Sequence, residues 1–267
     1  MARRSVVRFT AGKSSLVDDV LVSESPVEFR LEDVPVAVLM RTAGNDEELG
    51  LGFAITEGIV LGPHEVVRIA KIEGTAEGDR YEIILSDGVV VDPEQFRRNF
   101  FTSSSCGVCG KASIDAVRIA ARVMAAGPTV DAAVITRYPA ALREAQTLFA
   151  DSGSIHGAGA FTPSGEMITI FEDVGRHNAV DKVIGFLARA TWPIGDVVLF
   201  VSGRVSFEMV QKAAVAGIAI IAGVSGASDL AVELGDELNM TVIGFVRGET
   251  FNVYCGSDRI VGLGSGS

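Results

Sequence analysis

The chain has 267 residues, 48% of them hydrophobic and 21% charged, which is enough to bury one large core or two smaller ones and too apolar for a disordered segment. Its 23 basic and 34 acidic side chains leave a formal charge of −11, which argues against a general binder of nucleic acid or anionic membrane but leaves room for a local basic site. Three cysteines, two of them in a C-x-x-C pair, predict a reducing compartment. No apolar signal core follows Arg3 and Arg4, and the longest apolar run, near 217–224, is too short to span a bilayer. The expectation is a cytoplasmic globular protein.

Residues 1–25 are polar and weakly patterned and read as an arm. From Val27 the apolar side chains alternate, with Val27, Phe29 and Leu31 on one face and a second strand over 34–40. Asn45 or Asp46 is placed to cap a helix bearing Leu49, Phe53, Ile55 and Ile59, with Glu47 and Glu48 in its first turn. Segments 66–72 and 81–85 read as paired strands, and Ser86-Asp87-Gly88 turns into a further strand at 89–91. Residues 26–102 form a small α+β unit, with Arg97 and Arg98 bringing positive charge toward the next segment.

That segment, 103–112, is the chemical centre of the chain: Ser103-Ser104-Ser105-Cys106-Gly107-Val108-Cys109-Gly110-Lys111. No side chain here has the bulk to bury the cysteines. Ser113 reads as the N-cap of a helix over 113–126 with Ile114, Val117, Ala121 and Met124 on its apolar stripe. A thiol just ahead of a helix N-terminus and beside Lys111 is favoured as the thiolate. Half of a zinc site, a redox dithiol and a sulfur-carrying thiolate all remain open for a lone C-x-x-C.

Residues 113–267 are regular. Helices are predicted over 139–149, with Pro139 at its first position, and over 178–188, 206–216 and 228–238. Strands are predicted over 155–161, 167–172, 197–201, 218–224 and 241–246. Apolar strands alternating with amphipathic helices imply a mostly parallel five-stranded sheet covered on both faces. The order αββαβαβαβ resembles the three-layer cytidine-deaminase-like fold, appended to the smaller N-terminal α+β unit. A zinc deaminase would carry H-x-E and P-C-x-x-C at two successive helix starts. Here those positions hold Arg176-His177-Asn178 and Ser202-Gly203-Arg204-Val205-Ser206, so no structural metal is expected there.

In open α/β sheets ligands bind beyond the carboxyl ends of the strands. Four such ends are Glu172-Asp173-Val174-Gly175-Arg176-His177, Ser202-Gly203-Arg204, Ser225-Gly226-Ala227-Ser228 and Phe245-Val246-Arg247-Gly248. Three carry an arginine, which in an acidic protein points to a phosphate-bearing ligand. His177, with Asp173 before it and Asp181 one turn on, is a ligand contact or a structural residue, and His156 is placed to face the same cleft. His64 reads as surface.

These residues carry a resemblance. Cys106-Gly107-Val108-Cys109-Gly110-Lys111, the run Glu172-Asp173-Val174-Gly175-Arg176-His177-Asn178-Ala179-Val180-Asp181-Lys182, Ser202-Gly203-Arg204, and Gly244-Phe245-Val246-Arg247 with Asn252-Val253-Tyr254 resemble the FdhD family, the formate dehydrogenase accessory sulfurtransferases. The likeness extends from about residue 26 to 260. Two loops depart from the family pattern: 151–156 keeps only its histidine, and 225–228 lacks a proline. The resemblance implies a cytoplasmic, homodimeric sulfur carrier that takes persulfide sulfur from a cysteine desulfurase. It would pass that sulfur to the molybdenum (or tungsten) bis(molybdopterin guanine dinucleotide) cofactor, bound as substrate, for the formate dehydrogenase catalytic subunit. It assigns the persulfide to Cys106 with Cys109 assisting, and cofactor contact to Phe245, Val246, Arg247, Gly248, Glu249 and Thr250. Arg176, His177 and Arg204 at the neighbouring strand ends join that set. A C-x-x-C redox protein and a non-catalytic nucleotide-binding chaperone are the competing readings.

Overall fold

The computed structural model describes residues 1–75, 78–92, 121, 123–125 and 127–264. The expected C-x-x-C loop with Cys106 and Cys109, Arg97, Arg98 and most of the helix expected over 113–126 lie outside them. Met124, placed in that helix by its apolar spacing, is not helical. Its N–H donates to the Leu238 carbonyl, and its own carbonyl accepts from the Asn239 side chain.

The stretch read as an unpatterned arm holds an antiparallel hairpin, β1 (Ala2–Thr10) and β2 (Lys13–Leu21). Ala11 and Gly12 form its two-residue turn, both with positive φ (49° and 84°), the backbone that matches the twist of paired strands. β3 (Ser25–Leu31), β4 (Val34–Arg41), β5 (Val66–Thr75) and β6 (Gly78–Leu85) make a separate sheet in the order β4-β3-β6-β5. Val27, Phe29 and Leu31 share its inner face and pack on Leu49, Phe53 and Ile55 of α1 (Asp46–Thr56). Asn45 stands at the expected N-cap position of α1, but no side-chain capping bond forms. Its backbone is left-handed, and Asp46 accepts from the fully buried Arg41 (2.7 Å) and from the Tyr81 hydroxyl. A buried guanidinium left without acceptors costs more than an absent cap. Residues 89–91 form no strand.

The rest of the chain supplies β7 (Val130–Asp131), α2 (Ala132–Ile135), α3 (Tyr138–Ala145), α4 (Thr147–Ser152), β8 (His156–Phe161), β9 (Met167–Asp173), α5 (Arg176–Ala188) and β10 (Val198–Val201). There follow α6 (Phe207–Val215), β11 (Ile220–Gly223), α7 (Asp229–Glu237), β12 (Thr241–Arg247), β13 (Thr250–Cys255) and β14 (Ile260–Val261). The helix expected over 139–149 is broken at Gln146. There the Glu172 carboxylate accepts from the Leu148 and Phe149 amides (2.8 Å each) and so starts α4 as a new helix. Pro139 stands at the second position of α3, not the first.

The principal sheet is mixed and six-stranded, β13-β12-β11-β10-β8-β9, which corrects the expected mostly parallel five-stranded sheet. Only β10, β11 and β12 pair in parallel; β8 is antiparallel to both β9 and β10, and β13 to β12. The reason is connection length. The turn after Phe161 and the turn at Gly248 are too short for a crossover, so each returns the chain as a hairpin. The architecture is α/β, with α5, α6 and α7 on one face and α2 and α3 on the other. Strand residues alternate between the two layers: Leu199, Val201, Ile221 and Val242 face the first, Val198, Phe200, Ile220 and Ile243 the second.

Two packing details fix how the parts sit. Helices α1 and α5 cross so closely that a Cβ at Gly52 would overlap the Asp181 carbonyl, and one at Gly185 the Glu48 carbonyl. In the second layer the Tyr138 ring packs tilted against Phe161 and Phe200, but its buried hydroxyl has no hydrogen-bond partner among the described residues. An unsatisfied buried hydroxyl costs about 1–3 kcal/mol. Tyr138→Phe is therefore expected to raise the denaturation midpoint, with a gain of about 1 kcal/mol in unfolding free energy. A lower midpoint would show that the hydroxyl is satisfied.

Candidate functional site

Because β8 runs opposite to its neighbours, its first residue shares an edge with the ends of β9, β10, β11 and β12. This edge collects His156, Asp173, Ser202, Gly203, Arg204, Ser225 and Arg247. Its loops are stitched together. Ser202 donates its N–H to the Gly157 carbonyl and accepts the Gly157 N–H at its hydroxyl (2.9 Å each). The Ser225 N–H donates to Gly203, and the Phe245 N–H to Ser225. Gly203 sits against His156, where a Cβ would come within 3.7 Å of Nδ1.

Neither acidic neighbour that the sequence offers His177 is its partner. His177 Nε2 lies 2.5 Å from Glu208 Oε2 on α6. One turn deeper the same two helices repeat the arrangement: Asp181 meets Lys212 (2.9 Å), whose ammonium also donates to Thr56 (2.8 Å) and Glu57 (3.0 Å) of the N-terminal unit. Residues four apart on a helix share a face, so α5 and α6 form a ladder of two charged rungs. Burial alone would lower the Lys212 ammonium pKa, but Asp181 and Glu57 outweigh it and raise it. Burial raises the Asp181 carboxyl, which Lys212 and Thr56 only partly offset. Burial works the same way on Glu208, yet there His177 and Lys212 prevail and hold it below its ordinary value. Burial, with Arg176 and His177 nearby, pushes the His156 imidazole down and favours its neutral form.

Asp173 is spoken for elsewhere. Its buried carboxylate accepts from Lys182 (2.7 Å), Asn178 (2.9 Å) and the Thr42 amide (3.1 Å), while Asn178 and Lys182 also donate to the Met40 and Thr42 carbonyls. The knot pins the start of α5, and with it Arg176 and His177, to the end of β4. Among the described residues, Arg176 Nε, Ser206 Oγ and Glu208 Oε1 are buried near this edge with no hydrogen-bond partner. Buried donors and acceptors are ordinarily paired, so these atoms at the starts of α5 and α6 retain unused hydrogen-bonding capacity.

The far end of the edge is different. Phe245 has φ 53°, left-handed for an aromatic residue, and its ring is 41% exposed. The ring lies where a Cβ on Gly226 would clash, and the Arg247 guanidinium stands 5.4 Å from its centroid while Nε donates to the Val224 carbonyl (3.0 Å). An exposed ring held by strained backbone beside an arginine offers a stacking surface with a cation attached. Arg204 is exposed between the two ends. The Val246 side chain, in contrast, is buried in the sheet's second layer, and Thr250 closes the β12–β13 turn by donating to the Arg247 carbonyl. Gly248 (φ 55°) and Glu249 form that turn.

The FdhD/NarQ family model matches residues 22–261. The chain belongs to the FdhD/NarQ family. Among curated relatives, a protein named sulfur carrier protein FdhD from Streptomyces coelicolor is 43% identical over 97% of this chain and 95% of its own length. The protein of that name from Mycolicibacterium paratuberculosis is 44% identical over 97% and 98%, and the one from Saccharolobus solfataricus 38% over 97% of each. A solved structure from Desulfotalea psychrophila, assigned as a formate dehydrogenase accessory protein, shares the fold with a TM-score of 0.77 at 23% identity, covering 97% of this chain and 99% of that one.

Within this family frame the edge holds Arg176, His177, Arg204, Phe245 and Arg247 together, as their sequence positions at or just beyond the ends of β9, β10 and β12 require. Glu208 and Ser206 join the cluster from α6 and were not singled out in the sequence. No spacing rule links them to His177. Among the described residues no group of three or more His, Cys, Asp or Glu side chains is placed to hold a metal ion, and no helix is long and apolar enough to cross a membrane.

Proposed function

We propose that this chain is a sulfur carrier that accepts persulfide sulfur from a cysteine desulfurase on Cys106. It delivers that sulfur to a molybdenum or tungsten bis(molybdopterin guanine dinucleotide) cofactor before the cofactor enters a formate dehydrogenase. The observation that carries the reading is kinship along nearly the whole chain with proteins named sulfur carrier protein FdhD. The strand order β9-β8-β10-β11-β12 supports a cytidine-deaminase-like description of the larger unit, with β13 added at one side. The working form in this reading is a cytoplasmic homodimer acting without membrane or nucleic acid.

In the loading step the Cys106 thiolate attacks the terminal sulfur of the donor persulfide, and the donor cysteine leaves as its thiolate. Delivery at the sulfide level needs two electrons. Cys109 supplies them by attacking Cys106 sulfur, which closes a Cys106–Cys109 disulfide and expels hydrosulfide; a cellular thiol reductant then reopens the pair. The recipient's pyrophosphates and guanines match Arg176, Arg204 and Arg247 and the exposed Phe245 ring. His177, held by Glu208, orients the middle of that edge.

Peptide mapping by mass spectrometry, after incubation with a cysteine desulfurase and cysteine, tests the reading. One additional sulfur is expected within the peptide containing Cys106. Its appearance on Cys255 alone, or a Cys106–Cys109 disulfide formed with no sulfur bound at any stage, would favour a different chemistry. Burial already raises the Cys255 thiol and its S–H points to the Met240 carbonyl, so it is a poor acceptor.

A further inference from the structure

His156 is the first residue of β8, and because β8 runs opposite to β10 it stands among the ends of the neighbouring strands. Its imidazole lies against Gly203, where a Cβ would come within 3.7 Å of Nδ1 and 3.8 Å of Cε1. The ring is only partly buried, and among the described residues neither ring nitrogen has a hydrogen-bond partner. The groups around it are charged. α5 brings Arg176 and His177, the loop after β10 carries Arg204 next to Gly203, and Asp173 of β9 is the register partner of His156. Both carboxylates in reach are engaged: Glu208 of α6 stands 2.5 Å from His177 Nε2, and Asp173 accepts from Lys182 and Asn178. Burial, Arg176 and His177 therefore hold the imidazole below its ordinary pKa, with only Asp173 opposing them.

An anion reverses that balance. A pyrophosphate on this edge turns the local field negative, and a partnerless imidazole answers by taking up a proton, after which both ring nitrogens donate. A permanent cation at 156 would repel Arg176 whenever the edge stood empty, whereas an imidazole carries charge only with the anion beside it. Arg176 Nε and Ser206 Oγ, unpaired among the described residues, lie at the starts of α5 and α6 on the same edge. We propose that His156 is a proton-accepting contact for the phosphates of the recipient's guanine nucleotide, neutral while the edge is empty and an imidazolium once the pyrophosphate arrives, the proton coming from solvent. This rests on the nucleotide-binding edge proposed above and assigns a further residue to it.

Titration calorimetry of the full chain with GDP, between about pH 6 and 8, tests it. GDP affinity is expected to fall as pH rises, approaching about tenfold per pH unit where one full proton is taken up. The fall should be less steep in His156→Gln, since glutamine keeps a hydrogen-bonding side chain but cannot take the proton. The chain has three histidines, few enough to resolve by NMR in the wild type, and the His156 imidazole should titrate at higher pH once GDP is added. Equal pH slopes in wild type and His156→Gln would assign the dependence to the nucleotide's own terminal phosphate, overturning the proposal while leaving the edge as the nucleotide site. A GDP-induced shift confined to the His177 resonance, or none at all, would overturn it in the same way without relying on the variant. A wild-type chain that binds no GDP at any pH would overturn the nucleotide edge and the proton coupling together.

Discussion

Lys212→Met is expected to lower the unfolding free energy by about 3–5 kcal/mol, the usual cost of leaving a buried carboxylate without its cation. The ammonium it removes joins Thr56 and Glu57 of the N-terminal unit to Asp181 of α5, so the end of α1 and α5 lose a partner they share on α6. Methionine keeps the stem's volume, which separates lost charge from lost packing. The deficit depends on pH in a defined sense. Asp181 is already raised by burial, and without Lys212 it rises further. A carboxyl whose folded pKa exceeds its unfolded one destabilises progressively as pH climbs from the unfolded value through the folded one. The Lys212→Met deficit should therefore be smallest near pH 4 and largest at neutral pH, as read from denaturant midpoints. Adding Asp181→Asn should restore much of the loss. A deficit that is flat with pH would show that Asp181 is not the group left stranded.

The pattern of Val27, Phe29 and Leu31 was legible because one face of their sheet is buried, and period-two alternation is the trace of such burial. The parallel β10, β11 and β12 were legible as short apolar runs for the complementary reason, burial on both faces. The β1–β2 hairpin left no such trace, because neither of its faces enters a core and its turn is Ala11-Gly12 in place of the asparagine or aspartate that advertises such turns. At the site, sequence order brought the arginines to one edge, since each ends or follows a strand of the same sheet. The partners of His177 and Asp181 could not be read that way. Glu208 and Lys212 each lie 31 residues further on, a separation set by how α5 packs on α6 and not by any local period. The left-handed Phe245 was equally hidden: an aromatic residue gives no warning of positive φ, and the nearby Gly226 reveals its purpose only once the ring is seen against it.

Loading and delivery are expected to separate cleanly by mutation. Cys106→Ser should abolish persulfide formation and formate dehydrogenase activation while leaving GDP affinity unchanged. Arg247→Ala should do the reverse: sulfur loads normally, but GDP binding weakens by roughly one to two decades, the worth of one charge-assisted hydrogen bond and its stacked neighbour. The geometry makes Arg247 the more informative of the edge arginines. It is held at two points, by the Val224 carbonyl and over the Phe245 ring, so its guanidinium is pre-oriented and loses little freedom on binding. Arg204 is exposed on the neighbouring loop and should contribute less alone. Phe245→Leu tests the other half of the arrangement, because it keeps an apolar side chain on a strained backbone and removes the stacking face; it should weaken GDP by about a decade. Titration calorimetry with GDP distinguishes these cases. Unchanged affinity in Arg204→Ala, Arg247→Ala and Phe245→Leu would move the nucleotide away from this edge. A parallel loss of sulfur loading in Arg247→Ala would show that the edge serves the thiol as well as its recipient.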